Sequence, residues 1–213
     1  MKILLVAATK AELTDVFTHF DLPNENFVQQ AEFDILITGV GITATAFALG
    51  KHLNNDYDLV LNVGIAGSFD QQIALGSLVN IEEDTFGDLG AEDNNSFLTL
   101  EDLGLGKITY QSTYKTTNSK TAPLQKVKSI TVNKAHGNAK TIANTQQKFK
   151  PTTESMEGAA VFYACEAIHL PCLQVRSISN YVTARDKSTW EMQLAITNLN
   201  LWIIDFIENV THR

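Results

Sequence analysis

The sequence predicts an α/β fold with a largely parallel sheet flanked by helices, and three observations carry that expectation. Short aliphatic and β-branched runs recur along the chain, segments with helical spacing lie between several of them, and glycine-bearing stretches follow two of the strand-like runs. Alternation of this kind is built from βα units, whose crossovers leave neighbouring strands parallel.

Residues 3–8 are an unbroken apolar run of the length of a strand buried on both faces. Lys10 and Glu12 follow, with no cleavage-type flank, so the run reads as a first core strand and the chain as cytoplasmic. Residues 11–20 have helical spacing. Residues 34–38, 59–63 and 77–81 predict further strands, and 43–53 a helix between the first two of these. Residues 84–106, rich in Gly, Asp, Glu and Asn, predict a loop of a size that often carries function. A strand over 129–132 precedes a helix over 138–149, and a helix over 158–170 leads into a strand over 172–179. The last helix, from Ser188 to about Val210, bears Trp190, Leu194, Leu199, Trp202, Ile203 and Phe206 and is expected to pack on the core.

No Pro/Gly/Ser-rich stretch divides the 213 residues, so one domain over 1–213 is expected. A hydrophobic fraction of 44% is enough for that domain to fold unaided. The net charge of -8 argues against nucleic acid as a partner, because binding a polyanion needs a surplus of Lys and Arg. No membrane segment is expected either. Cys165 and Cys172 are too few and too irregularly placed for a disulfide framework or a zinc site. They read as buried thiols, and neither a metal nor a cofactor is expected.

Two glycine-bearing stretches, residues 38–41 and 62–68, are expected to turn at the carboxyl ends of their strands, where ligands sit in open α/β sheets. Neither matches G-x-G-x-x-G or a phosphate loop with its lysine, so a dinucleotide site is disfavoured; tight strand-to-helix turns alone would also explain them. Three polar residues fall at the same ends. Glu12 follows the first strand, Glu157 precedes the apolar helix beginning near Gly158, and Asn180 closes the strand over 172–179. Singly, each has a bland explanation, a first-turn helix acid for the glutamates and a turn residue for Asn180. Together, two carboxylates and an amide form a hydrolytic constellation.

Lys2-Ile3 with Ala8 and Glu12, Thr38-Gly39-Val40-Gly41, Asn62-Val63-Gly64-Ile65-Ala66-Gly67, Ser155-Met156-Glu157-Gly158-Ala159-Ala160 and Val175-Arg176-Ser177-Ile178-Ser179-Asn180 occur in that order across nearly the whole chain. In this the sequence resembles the nucleoside phosphorylase and nucleosidase family that includes methylthioadenosine/S-adenosylhomocysteine nucleosidase. Phe86 to Asp93, and Ser179-Asn180-Tyr181-Val182 with Arg185-Asp186, narrow the resemblance to the futalosine hydrolase branch. The resemblance implies a three-layer phosphorylase/hydrolase-like fold with a central mixed, largely parallel sheet, and a homodimer or higher homo-oligomer. It implies a nucleoside substrate, with Glu12 as general base for water, Met156 packed on the sugar, and Glu157 accepting from the 2′- and 3′-hydroxyls. Gly41, Gly67 and Ser155 would lie along that substrate. A carboxylate suits a vicinal diol beside the positive charge that grows on an oxocarbenium-like sugar.

Two positions depart from the adenine-specific members. Ser155 stands where they commonly carry glutamate, and Asn180 where they carry an aspartate that handles adenine. An amide is no general acid, but it can donate to a 6-carbonyl and accept from a protonated N7, so Asn180 favours a 6-oxopurine such as the hypoxanthine of futalosine. A phosphorylase would have to hold a dianion. Among Arg176, Arg185 and Arg213 none is expected near the Glu12 turn, so water is the expected nucleophile. Arg185 is a candidate for the carboxylate on futalosine's 5′ substituent, against a competing pairing with Asp186. Phe86 and His136 are candidates to stack on the base. Methylthioadenosine or aminofutalosine nucleosidase, purine nucleoside phosphorylase and a non-catalytic nucleoside-binding protein remain the alternatives.

Overall fold

The computed structural model describes residues 1–94, 96–114 and 123–211. Arg213, one of the three arginines weighed above, lies outside them. Strands β1 (Ile3–Ala7), β2 (Phe27–Gln29), β3 (Phe33–Ile37), β4 (Leu59–Ser68), β5 (Leu78–Phe86), β8 (Thr109–Gln111), β9 (Gln125–Thr131), β10 (Thr153–Ser155) and β11 (Cys172–Tyr181) form one nine-stranded sheet, while β6 (Gly90–Asp93) and β7 (Ser96–Thr99) form a separate hairpin. The helices are α1 (Thr14–His19), α2 (Ile42–His52), α3 (Ala139–Phe149), α4 (Gly158–Ala167) and α5 (Met192–Thr211).

The strand order is β10-β9-β5-β11-β4-β1-β3-β2, with β8 added to β5. The sheet is mixed: five of its nine pairings are parallel and four antiparallel. Because β10 also pairs with β4, strands β10, β9, β5, β11 and β4 close into a ring. Period-two alternation sends successive aliphatic side chains of β1 and of the start of β4 to opposite faces of the sheet. Leu4, Val6 and Val60 join the cluster packed by Leu49 of α2 and Val161 and Phe162 of α4. Their neighbours Ile3, Leu5, Leu59 and Leu61 join Val16 of α1 and Leu199, Ile203 and Phe206 of α5. Among the described residues no helix is long and apolar enough to cross a membrane.

Several sequence expectations are corrected. Residues 84–106 are not one loop, since β5 runs on through Asp84 to Phe86 and the β6–β7 hairpin follows. Pairing to β8 and β9 holds the polar end of β5 inside the sheet, where Asp84 and Thr85 are buried. Residues 62–68 are not a turn but the second half of β4. Residues 11–20 begin as a 3₁₀ turn, Lys10–Leu13, and a second such turn, Lys187–Thr189, precedes α5. The turn at 38–41 is as expected: Gly39 and Gly41 have φ of 84° and 95°, and Gly41 caps α2. Asn138 likewise caps α3, its side chain accepting from Lys140 N and Thr141 N.

Candidate active site

Glu12 sits in the 3₁₀ turn directly after β1 and is 8% exposed. Its Oε2 accepts from Thr9 N (2.9 Å) and Thr9 Oγ1 (3.0 Å), and its Oε1 from Ile65 N (3.2 Å). These bonds fix a carboxylate that still has one free lone pair, on Oε1, for a water proton. Gly64 permits this, since a Cβ there would stand 2.8 Å from Glu12 Oε1. From behind, buried Asn200 of α5 donates to the Glu12 carbonyl (2.9 Å) and accepts from Val16 N (3.0 Å). The last helix therefore anchors the turn that carries the acid as well as packing on the core.

Glu157 is the N-cap residue of α4, and its Oε1 accepts from Gly41 N at 2.9 Å. Burial raises its pKa; the Gly41 N–H and the Arg176 charge pull it back, and Glu12 pushes it up again. Arg176, only 1% exposed, is the buried cation nearest this acid set in electrostatic terms. Burial lowers its pKa against the opposing pull of Glu157, Asp84 and Glu12. Its Nη2 donates to Asn62 Oδ1 (2.6 Å) and its Nη1 to Val175 O (3.2 Å). The expectation that no arginine lies near the Glu12 turn is thus wrong. A Cβ on Gly64 would be 3.6 Å from Arg176 Nη1, because the paired strands β4 and β11 place positions 64 and 176 side by side. An arginine between Val175 and Ser177 in sequence gave no sign of the acids that act on its charge.

The third buried acid is Asp84, which has no exposed surface. Burial pushes its pKa up to about 7, against bonds from Thr131 and Gln174 and the Arg176 charge. A carboxyl whose folded pKa is raised stabilises fully below its ordinary value of 3.8 and loses that contribution as pH rises through about 7. Asp84→Asn should therefore gain Tm relative to the unsubstituted protein between pH 4 and pH 8. Thermal melts across that range check it, and a difference independent of pH would show that Asp84 is ionised throughout.

Beside these acids lies a cleft whose walls include Gly67, Ser155, Met156, Asn180, Arg185 and His136. Asn180 follows a bulge in β11, where the register on β4 slips between Ile178 and Asn180. A bulge of this kind re-aims the next side chain, and Gly67 leaves room for it, since a Cβ there would be 3.1 Å from Asn180 Nδ2. Asn180 Oδ1 accepts from Ser179 Oγ (2.8 Å) and Nδ2 donates to the Tyr181 carbonyl (3.2 Å). One lone pair and one N–H remain. Ser155 Oγ is buried at the cleft with no hydrogen-bond partner. Gly41 contributes through Glu157 and is not among the cleft walls.

Arg185 does not pair with Asp186, whose carboxylate accepts from Ser188 N and Oγ. Its guanidinium lies 5.0 Å from the centre of the Trp190 ring, which also lines the cleft and so is not part of the core packing expected of it. His136 is in the cleft, its Nδ1 on the Glu154 carboxylate and its Nε2 2.9 Å from Thr145 Oγ1. Phe86 is instead buried against Tyr110, with ring centres 5.9 Å apart. Among the described residues no group of three or more His, Cys, Asp or Glu could hold a metal ion.

The model of the phosphorylase superfamily matches residues 3–208. The chain belongs to the phosphorylase superfamily. Within it, the futalosine hydrolase of Streptomyces coelicolor is 31% identical over 181 residues, 78% of this chain and 75% of that protein. The futalosine hydrolase of Thermus thermophilus is 28% identical over 176 residues, 78% of this chain and 77% of its own. Among solved structures of similar fold, a methylthioadenosine nucleosidase mutant of Helicobacter pylori with 5′-methylthioadenosine in its active site has a TM-score of 0.82 at 17% identity, covering 98% of this chain and 99% of that one. The futalosine hydrolase of Helicobacter pylori strain 26695 has a TM-score of 0.79 at 15% identity, covering 99% and 98%.

Proposed function

We propose that this member of the superfamily hydrolyses the N-glycosidic bond of futalosine, releasing hypoxanthine and dehypoxanthine futalosine in menaquinone biosynthesis. The observation that carries the mechanism is Glu12 Oε1 and the buried Arg176 Nη1 both lying within 3.6 Å of the Cβ position of Gly64, with Glu157, fixed by Gly41 N, acting on the same arginine's charge. The kinship with futalosine hydrolases supports the substrate. Glu12 takes a proton from water as the water oxygen bonds C1′. Glu157 accepts from the 2′- and 3′-hydroxyls, and Met156 packs on the sugar. The glycosidic electron pair leaves with the purine. Asn180 supplies no proton; its free N–H meets O6, its free lone pair meets an N7–H gained from solvent, and Ser155 and Gly67 line the path. Arg185 takes the carboxylate of the 5′ substituent, with Trp190 as its platform.

Water remains the nucleophile although Arg176 is close to Glu12. Each Nη makes one hydrogen bond, to Asn62 or Val175, and Nε makes none, but the carboxyls of Glu157, Asp84 and Glu12 already oppose its charge. Little is left to hold a phosphate dianion. We place the reaction on one cytoplasmic three-layer domain over residues 1–213, in a homodimer or higher homo-oligomer, with no nucleic-acid or membrane partner.

The assay is hypoxanthine release from futalosine in phosphate-free buffer, with inosine and methylthioadenosine alongside, followed by chromatography. Release without phosphate, fastest from futalosine, is expected. A strict phosphate requirement would move the assignment to a phosphorylase, and faster adenine release from methylthioadenosine would remove the role given to Asn180.

A further inference from the structure

The reaction makes no direct use of Asp84, yet its contacts lead to the start of α4, next to Glu157. Asp84 Oδ1 accepts from Thr131 Oγ1 at 2.9 Å. The same hydroxyl oxygen accepts the N–H of Ala159, in the first turn of α4, at 2.8 Å. Asp84 Oδ2 accepts from Gln174 Nε2 at 3.1 Å, and Gln174 Oε1 has no partner. Gly158 makes room for the pair: a Cβ there would fall 2.2 Å from Asp84 Oδ2 and 2.1 Å from Gln174 Oε1. Three consecutive residues thus have three separate duties. Glu157 stands at the N-cap position of α4 with its carboxylate on Gly41, Gly158 lies over the buried acid, and Ala159 is tied to Thr131. A first-turn N–H has no partner within its own helix, so a side-chain acceptor on β9 fixes the height and rotation of that turn. The glutamate one step before the glycine moves with it.

We propose that Thr131 and Asp84 are positioning residues for Glu157, and that the chain Asp84–Thr131–Ala159 sets how strongly the site discriminates a ribonucleoside from its 2′-deoxy counterpart. The inference rests on the assignment of Glu157 to the ribose hydroxyls. A chain that only held the fold together would change stability without touching that discrimination. One that orients the carboxylate changes it directly, because the 2′-hydroxyl bond strengthens in the transition state.

The experiment measures kcat/KM for futalosine and for 2′-deoxyfutalosine and takes their ratio. Thr131→Val keeps the shape but neither accepts from Ala159 nor donates to Asp84, and is expected to lower the ratio about tenfold, the worth of one well-placed hydrogen bond. Thr131→Ser restores both bonds and should hold the ratio within about threefold of the unsubstituted value. Asp84→Asn keeps an acceptor for Thr131 and should do the same. Thr131→Ala, which also removes the hydroxyl, repeats the test if the valine variant does not fold. A lowered Tm with an unchanged ratio in Thr131→Val or Thr131→Ala overturns the proposal. Glu157→Gln is the control. If it lowers the ratio and Thr131→Val does not, only the positioning role falls; if it leaves the ratio unchanged, the ribose assignment fails and takes this inference with it.

Discussion

Glu12→Gln should lower kcat for futalosine by about 10²- to 10⁴-fold, the usual contribution of a positioned general base. Nucleoside binding should stay within about threefold, because the sugar clamp and the Asn180 wall are untouched. The substitution is close to isosteric, but the site is built for an acceptor. Glu12 Oε2 serves two donors on Thr9 and Oε1 serves Ile65 N. A glutamine can satisfy the Thr9 pair with its oxygen and must then turn its NH₂ toward Ile65 N, losing the longest of the three bonds. That loss costs about 1 kcal/mol, a few degrees in Tm, and leaves a folded protein to assay. Single-turnover chemistry and ligand binding, measured on the same preparation, separate the outcomes. Retained binding with abolished turnover supports the base. Turnover within about tenfold of the unsubstituted enzyme would assign the proton to another group. Futalosine bound but left intact by the unsubstituted protein would favour the non-catalytic binding reading.

The parts of this site legible in the sequence are those whose local pattern and role coincide. The buried strands announce themselves as aliphatic runs because apolar faces on both sides leave no room for alternation, and Gly39 and Gly41 mark a turn of positive φ. Glu157 stands at a helix start, next in sequence to Ser155 and Met156 of the cleft wall. What was hidden depends on partners remote in sequence. Asp84 and Thr85 look like loop residues until β8 and β9 pair with them, and strands as short as β2, β8 and β10 carry too few residues to show a period. Gly64 and Gly67 look like turn residues, yet each lies inside β4 and is glycine because a side chain from another element, Glu12 or Asn180, occupies the space of a Cβ. Arg176 is read correctly only once β4 and β11 are aligned, since its acids lie on β5, at the entry to α4 and in the turn after β1. Asn200 is similarly hidden, one polar residue on the buried stripe of α5 that reaches a backbone carbonyl 188 positions away.

Asn180→Asp should move base preference toward 6-aminopurines, with the ratio of kcat/KM for futalosine over aminofutalosine falling about 10²-fold or more. Two changes add in that ratio. A carboxylate facing O6 sets acceptor against acceptor and leaves a buried group unpaired, at about 1–3 kcal/mol. The same carboxylate gains a bond from a 6-amino group and, when protonated, supplies a proton that the amide cannot. The environment of residue 180 accepts the change unevenly. Ser179 Oγ can go on donating to a carboxylate oxygen, but the Tyr181 carbonyl, 3.2 Å from Nδ2, loses its donor and meets a second acceptor. Some stability is expected to be lost for that reason, and activity on a single substrate would mix the two effects. The ratio does not, because both substrates meet the same folded enzyme. An unchanged ratio would mean that the base is read elsewhere in the cleft, where His136, held by Glu154 and Thr145, and Arg185, laid on Trp190, are the groups in reach.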